Sequence, residues 1–227
     1  MNHSALRDEI CAIGVSLFNR GLVHATAGNI SVRLPDGDGH LITPTDACLG
    51  RLSPAALAHV DADGQQRSGD RASKTLALHR RIYGAAPEAR CVIHTHSTHL
   101  VALTLQPPGL GVWRSTAILP PITPYFVMKV GRVPLIPYHR PGDPAAADLV
   151  AQAITAAAAD GAPITAVMLD RLGPNVWHSS PAAAMATLEE LEETAKLWLM
   201  SAPRPQPLSA DQIEPLRQTF GAIWPTL

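Results

Sequence analysis

Apolar positions along the chain fall into two rhythms. Leu6, Ile10, Ile13 and Leu17 recur at helical spacing, with Ser4 placed to cap the start and Gly21 to end the helix. From His24 the rhythm changes. Small and polar residues lead into the alternating run Asn29–Arg33, a turn at residues 35–39, and a return strand over 40–43. Pro54 opens a single helical turn after Ser53. A strand near Val60 ends in a tight turn at Gly64, and a helix runs from Ser73 through Leu78, Ile82 and Tyr83.

The stretch Cys91-Val92-Ile93-His94-Thr95-His96 is the most informative. It reads as a buried strand feeding a helix that Ser97 or Thr98 caps. Side chains alternate along a strand, so His94 and His96 share a face, with Val92 behind them. Cys91, Ile93 and Thr95 take the other face. Two adjacent imidazoles at a strand end are a natural grip for a divalent metal.

Beyond them, residues 107–121 read as a loop carrying the aromatic Trp113. Tyr125–Lys129 reads as a short helix and residues 133–137 as an edge strand with two prolines. Asp143-Pro144 opens an alanine-rich helix, and residues 166–169 pair with 175–178 across Gly173-Pro174. Ser180-Pro181 starts the longest helix, on which Glu189, Glu190, Glu192 and Glu193 read as a solvated or interface face. A proline-rich linker follows, then Ser209 and Gln212 as a capping box for a terminal helix. The expected organisation is one α/β domain over residues 1–202, with residues 203–227 packing on it or on a neighbouring subunit.

Composition narrows the function. With 227 residues, 46% hydrophobic and 16% charged, the chain is globular and long enough for a sizeable core. A formal net charge of -1 gives no electrostatic case for nucleic acid or an anionic membrane surface. Cys11, Cys48 and Cys91 are odd in number and far apart, and are read as reduced thiols of a cytoplasmic protein. The first residues lead into a charged amphipathic segment rather than an apolar signal core, and no apolar run has the length of a membrane span. A glycine-rich dinucleotide loop, a Walker lysine loop and a Gly-x-Ser-x-Gly elbow are all absent from the sequence.

Three segments have phosphate-binding chemistry: Gly28-Asn29, Thr45-Asp46 and Ser73-Lys74. Each stands at a strand end or helix start and offers backbone N–H groups or a hydroxyl, and Lys74 adds a positive charge.

Together these stretches resemble a family. Thr26–Arg33, Leu41–Thr45, Gly69-Asp70 with Ser73-Lys74, Leu78-His79 and Val92–His96 are similar in order and spacing to the class II aldolase/adducin family. Ile122–Met128, Val133–Tyr138, Arg140–Asp143 and Leu188–Lys196 are most similar to its 3-oxo-tetronate 4-phosphate decarboxylase branch. The resemblance implies an α/β/α sandwich around a largely antiparallel sheet, and a homotetramer with active sites at subunit interfaces. It implies one divalent metal per subunit, zinc first and manganese or cobalt next, on histidines matching His94 and His96. It implies a phosphate pocket at Gly28, Asn29, Thr45, Asp46, Ser73 and Lys74, and Tyr125 as a proton donor reaching a neighbouring subunit. The implied substrate is a phosphorylated four-carbon sugar acid that yields dihydroxyacetone phosphate and CO2. A sugar-phosphate aldolase and a non-catalytic adducin-like protein are the alternatives.

The chain departs from that pattern at three places. Thr75 stands where the family carries a Glu used as acid/base. Leu172 stands where it carries a third histidine. Asp46 replaces a glycine common in the phosphate pocket. Zinc in a catalytic site usually keeps three protein ligands, so a partner for His94 and His96 is missing. His139 and His178 are the leading candidates, with His99 and Asp170 behind them. Decarboxylation needs no base to take a hydroxyl proton, whereas retro-aldol cleavage does. Thr75 therefore leans toward the decarboxylase.

Overall fold

The structure is a computed structural model, and it describes residues 3–106 and 117–224. Trp113 lies outside the described residues. Eight strands form one sheet in the order β4-β3-β2-β1-β5-β8-β7-β6. They are β1 (Asn29–Arg33), β2 (His40–Ile42), β3 (Ala58–Val60), β4 (Gln66–Ser68), β5 (Cys91–His94), β6 (Leu135–Ile136), β7 (Ala166–Leu169) and β8 (Gly173–His178). Every pairing is antiparallel except β6 with β7, and β6 with its two flanking prolines is an edge strand.

Among the described residues seven α-helices accompany the sheet: α1 (Ser4–Asn19), α2 (Leu76–Ala85), α3 (Thr98–Thr104), α4 (Pro124–Lys129), α5 (Pro144–Ala159), α6 (Pro181–Met200) and α7 (Ala210–Phe220). Strand alternation sorts them into two layers. Ile30, Val32, Cys91, Ile93, Met168 and Val176 face one core with Ile10 and Leu17 of α1, Leu100 of α3, Phe126 of α4 and Leu188 and Leu191 of α6. Val92, Val167 and Trp177 face the other with Ile82 and Tyr83 of α2 and Val150 and Ile154 of α5. Val92 and Ile93 are wholly buried on opposite sides of β5, each worth about 2 kcal/mol of apolar burial. β5 is thus pinned from both faces, which fixes where its last residue, His94, must stand. The sandwich expected from the family resemblance is the observed architecture.

Local chemistry explains most helix starts. Thr123 Oγ1 accepts from Phe126 N–H (3.1 Å), Asp143 Oδ1 from Ala145 N–H (3.0 Å) and Ser180 Oγ from Ala183 N–H (3.2 Å). At α7 the reciprocal bonds of Ser209 and Gln212 form the expected capping box. α7 lies on the body: Ile213 is in the main core, and Trp224 packs edge-on against Phe126 with ring centres 5.8 Å apart.

Several local expectations change. Ser4 is the first residue of α1, not its cap, since His3 holds the cap position without a side-chain bond. The helix expected from Ser73 begins at Leu76, because Ser73 N–H is drawn to Thr43 O (3.2 Å) in a strand-like pairing. The β7–β8 turn is made by residues 170–172, and Gly173 and Pro174 belong to β8. Glu192 is not solvated: it is 6% exposed and faces the start of α3.

Candidate active site

The ends of β1, β5 and β8 form the floor of a cavity of about 560 Å³. Asn29, His94 and Asn175 stand directly opposite one another across these three strands. Directly opposed residues point to the same face with Cβ atoms about 4.5–5.5 Å apart. That face is the one carrying Val92, α2 and α5. β5 ends at His94, so His96 lies just beyond the strand, yet the two rings still meet, with centres 5.0 Å apart. The alternation argument therefore brings the pair together although the regular strand stops short.

His94 is buried, and its Nδ1 lies 2.9 Å from Pro174 O. A carbonyl oxygen only accepts, so Nδ1 carries the proton and Nε2 keeps its lone pair. Burial, then the neighbouring His96, lowers its pKa to about 4, against a weaker upward pull from the Pro174 bond. His96 is half-buried and is also held below the usual imidazole range, by burial and then by His24, whose ring centre is 6.5 Å away. His94 is thus a neutral imidazole with a free nitrogen at neutral pH, the state a metal ligand needs. Among the described residues no three His, Cys, Asp or Glu side chains gather as a group able to hold an ion.

The three phosphate-type loops meet on one side of this floor. Residues 43–45 and 71–73 are stitched together by Thr45 N–H to Arg71 O (2.9 Å) and Ser73 N–H to Thr43 O (3.2 Å). Thr43 in turn accepts from Ile30 N–H through its hydroxyl (3.2 Å), tying both loops to β1. Gly28, Asn29, Thr45, Asp46, Ser73, Lys74 and Thr75 all line the cavity. Gly28 has φ +84°, and a Cβ there would stand 2.9 Å from His94 O, so the loop can approach the histidine strand this closely only as glycine. Asp46 has φ +56°, the left-handed conformation that a glycine adopts freely and Asp tolerates among side-chain-bearing residues. Its side chain is exposed. Thr75 pairs with Ser73 through a 2.8 Å hydroxyl–hydroxyl bond.

The opposite wall comes from residues 137–148, at the end of β6 and the start of α5. His139 lines it, half-buried, 3.8 Å from Asp143. Arg81 of α2 and Asp148 of α5 form an ion pair across the rim. Asp170 and Leu172 close the far side. A Cβ on Gly173 would fall 1.9 Å from Thr95 O, so β8 can start this close to the histidine segment only as glycine. Leu172 itself packs on the α2/α5 core.

The remaining candidates stand elsewhere. His178 faces Cys91 at the other end of β5, with its Nδ1 engaged by Ser179. His99 is bound to Glu192 (2.8 Å) on the opposite face of the sheet. Tyr125 is 61% exposed on α4 and does not line this chain's cavity. His79, expected as a packed helix histidine, is wholly buried with Nδ1 2.7 Å from Ser31 Oγ. Residues that sequence reasoning passed over are His24, Arg81 and Asn175. The signal for Asn175 was a single amide between Pro174 and the apolar pair Val176-Trp177.

The comparisons with known proteins agree with this geometry. Residues 8–199 match the model of the Class II Aldolase and Adducin N-terminal domain. A 3-oxo-tetronate 4-phosphate decarboxylase of Cupriavidus necator is 55% identical over 226 residues, covering 97% of this chain and 98% of that protein. One from Escherichia coli K12 is 44% identical, covering 94% and 95%. The crystal structure of YgbL from Escherichia coli, described as an aldolase/epimerase/decarboxylase, superposes with TM-score 0.83 at 40% identity over 94% of this chain and 98% of that one. L-fuculose-1-phosphate aldolase from Thermus thermophilus gives 0.70 at 28% identity over 86% and 92%. The chain belongs to the class II aldolase and adducin family, on the branch of its 3-oxo-tetronate 4-phosphate decarboxylase relatives.

Proposed function

We infer that this chain is a carbon–carbon lyase that decarboxylates a 3-oxo-tetronate 4-phosphate to dihydroxyacetone phosphate and CO2. The observation that carries the reading is one cavity holding phosphate-type loops on one side and a neutral, metal-competent histidine pair on its floor. The identity to decarboxylase relatives over nearly the whole chain points the same way.

The substrate is a β-keto acid. The bond from its carboxylate carbon to the neighbouring carbon breaks, CO2 leaves, and the electron pair passes to the adjacent carbonyl. The former carboxylate-bearing carbon then takes one proton. In our reading the N–H groups at Gly28 and Asn29 and the hydroxyls of Thr45 and Ser73 hold the phosphate, and Lys74 supplies positive charge at the rim. That fixes the oxo carbon over His94 and His96. His94 and His96 would hold a divalent metal, which would supply Lewis-acid polarisation of the oxo group, and the free Nε2 of His94 fits that role. Imidazole nitrogen suits zinc first, with manganese and cobalt as the alternatives. Thr75, bonded to Ser73, offers no base, and this step needs none. Tyr125 of a neighbouring subunit is the proposed proton donor in a homotetramer. Its 61% exposure leaves the phenol free to reach across an interface. We place the enzyme in the cytoplasm, in sugar-acid breakdown. No helix among the described residues is long and apolar enough to cross a membrane.

The test is CO2 release from the 3-oxo acid phosphate by purified protein with added zinc or manganese. Release with formation of dihydroxyacetone phosphate is expected. No release, with cleavage of a ketose 1-phosphate into two fragments instead, would make the chain an aldolase.

A further inference from the structure

Among the described residues Asn175 is the least accounted-for buried side chain. It is 0% exposed, it lines the cavity, and neither its Oδ1 nor its Nδ2 has a partner. Leaving a buried amide unpaired is destabilising. The neighbouring strand shows the inexpensive alternative: Val167 stands directly opposite Asn175 on β7, on the same face, fully buried in apolar packing. An amide at this position is explained by a group that enters the cavity and meets it.

What it would meet is set by the register. Asn175 stands directly across from His94, whose free Nε2 belongs to the same face. Asn29, on the other flank of His94, also has an unpartnered Oδ1 but belongs to the phosphate loops. Leu172, which also lines the cavity, offers only an aliphatic side chain. Among the described residues no third His, Cys, Asp or Glu joins the pair as a metal-holding group. The geometry points to Asn175 as the third protein ligand of the metal at His94 and His96, bonding through Oδ1. This inference rests on reading the histidine pair as a metal site. The amide oxygen is the donor, because the amide nitrogen has no lone pair to give. The resulting set, two imidazoles and one carboxamide oxygen, carries no charge and contains a hard donor. It suits manganese better than a purely nitrogen set does.

The experiment is calorimetric titration of the metal-free protein with Mn²⁺ and Co²⁺, together with the visible spectrum of the Co²⁺ form. Wild type, Asn175→Val, Asn175→Asp and His94→Ala are compared. Asn175→Val is expected to weaken binding at least about tenfold and to alter the cobalt spectrum. Without metal it should melt no lower than wild type, since it removes an unpaired amide rather than a bonded one. Asn175→Asp keeps an oxygen in place and should bind at least as tightly as wild type. Wild-type affinity and spectrum in Asn175→Val, with binding lost in His94→Ala, would overturn the inference and leave the histidine site standing. So would an Asn175→Val chain that melts well below wild type, or an Asn175→Asp chain that binds more weakly. A wild-type chain that binds neither ion would overturn both readings.

Discussion

Buried polar groups meet the β5–α3 segment from opposite faces of the sheet, and the two sides differ in one respect. Glu192 is fully engaged. Its Oε1 accepts from His99 N–H (2.9 Å) and lies 2.8 Å from His99 Nδ1, and its Oε2 accepts from Leu100 N–H (3.1 Å). It places negative charge on the first turn of α3, where free N–H groups and the helix dipole favour it. On the other face, Asn175 has no partner at all and Asn29 has a bare oxygen. The satisfied carboxylate builds structure, because it locks the helix that follows His96. The unsatisfied amides build a site, because their bonds are left for a ligand. Burial alone does not separate the two cases; the completeness of the bonding does.

That contrast sets the size of each expected effect. His94→Ala should lower turnover by about 10³-fold or more, equivalent to about 4 kcal/mol of barrier, while the metal-free melting temperature changes little. Steady-state kinetics alongside thermal melts check both halves. Glu192→Ala should do the reverse. It strands buried donors and should cost about 3 kcal/mol of stability in urea unfolding, with activity following only the folded fraction. A Glu192→Ala enzyme of normal stability and no activity would break the comparison.

A third effect, comparable in size to the Glu192→Ala loss, is on pH. Burial, followed by the nearby His94 and His40, lowers His79 to about 3, and His94 lies at about 4, both from 6.5. As pH falls below 6.5 the unfolded chain takes up protons that these folded histidines refuse. Their contribution is whole above 6.5 and is lost on acidification toward about 4. Each histidine accounts for at most about 1.4 kcal/mol per pH unit. Urea midpoints of metal-free protein at pH 7 and pH 5 measure it, and a flat profile would contradict the burial of these rings.

Much of this was legible in the chain. Alternation about Val92, His94 and His96 placed the pair on one face, and the elements flanking it followed from apolar period and capping residues. The three phosphate-type loops could be recognised singly. Their convergence could not, because it depends on Thr43–Thr45 pairing with Arg71–Ser73, a contact that no local pattern encodes. Glu192 was misplaced for a related reason. In the run Glu189–Glu193 every carboxylate has the same local signal, and only the packing of α6 on α3 selects the one that is buried. Asn175 and Gly173 show the opposite case. Their oddity is visible in the sequence, yet its meaning comes from the register that sets them against His94 and Thr95. His178, one of the two leading candidates for a third ligand, is set apart by register: it sits three residues along β8 from Asn175, at the other end of the strand pair.

The most direct test of the claim that this row of strand ends is a metal site is an anomalous difference map from crystals grown with Mn²⁺. One peak per chain is expected, within bonding distance of His94 Nε2 and His96. A map with no peak there, or with the ion bound at another place in the fold, would contradict it.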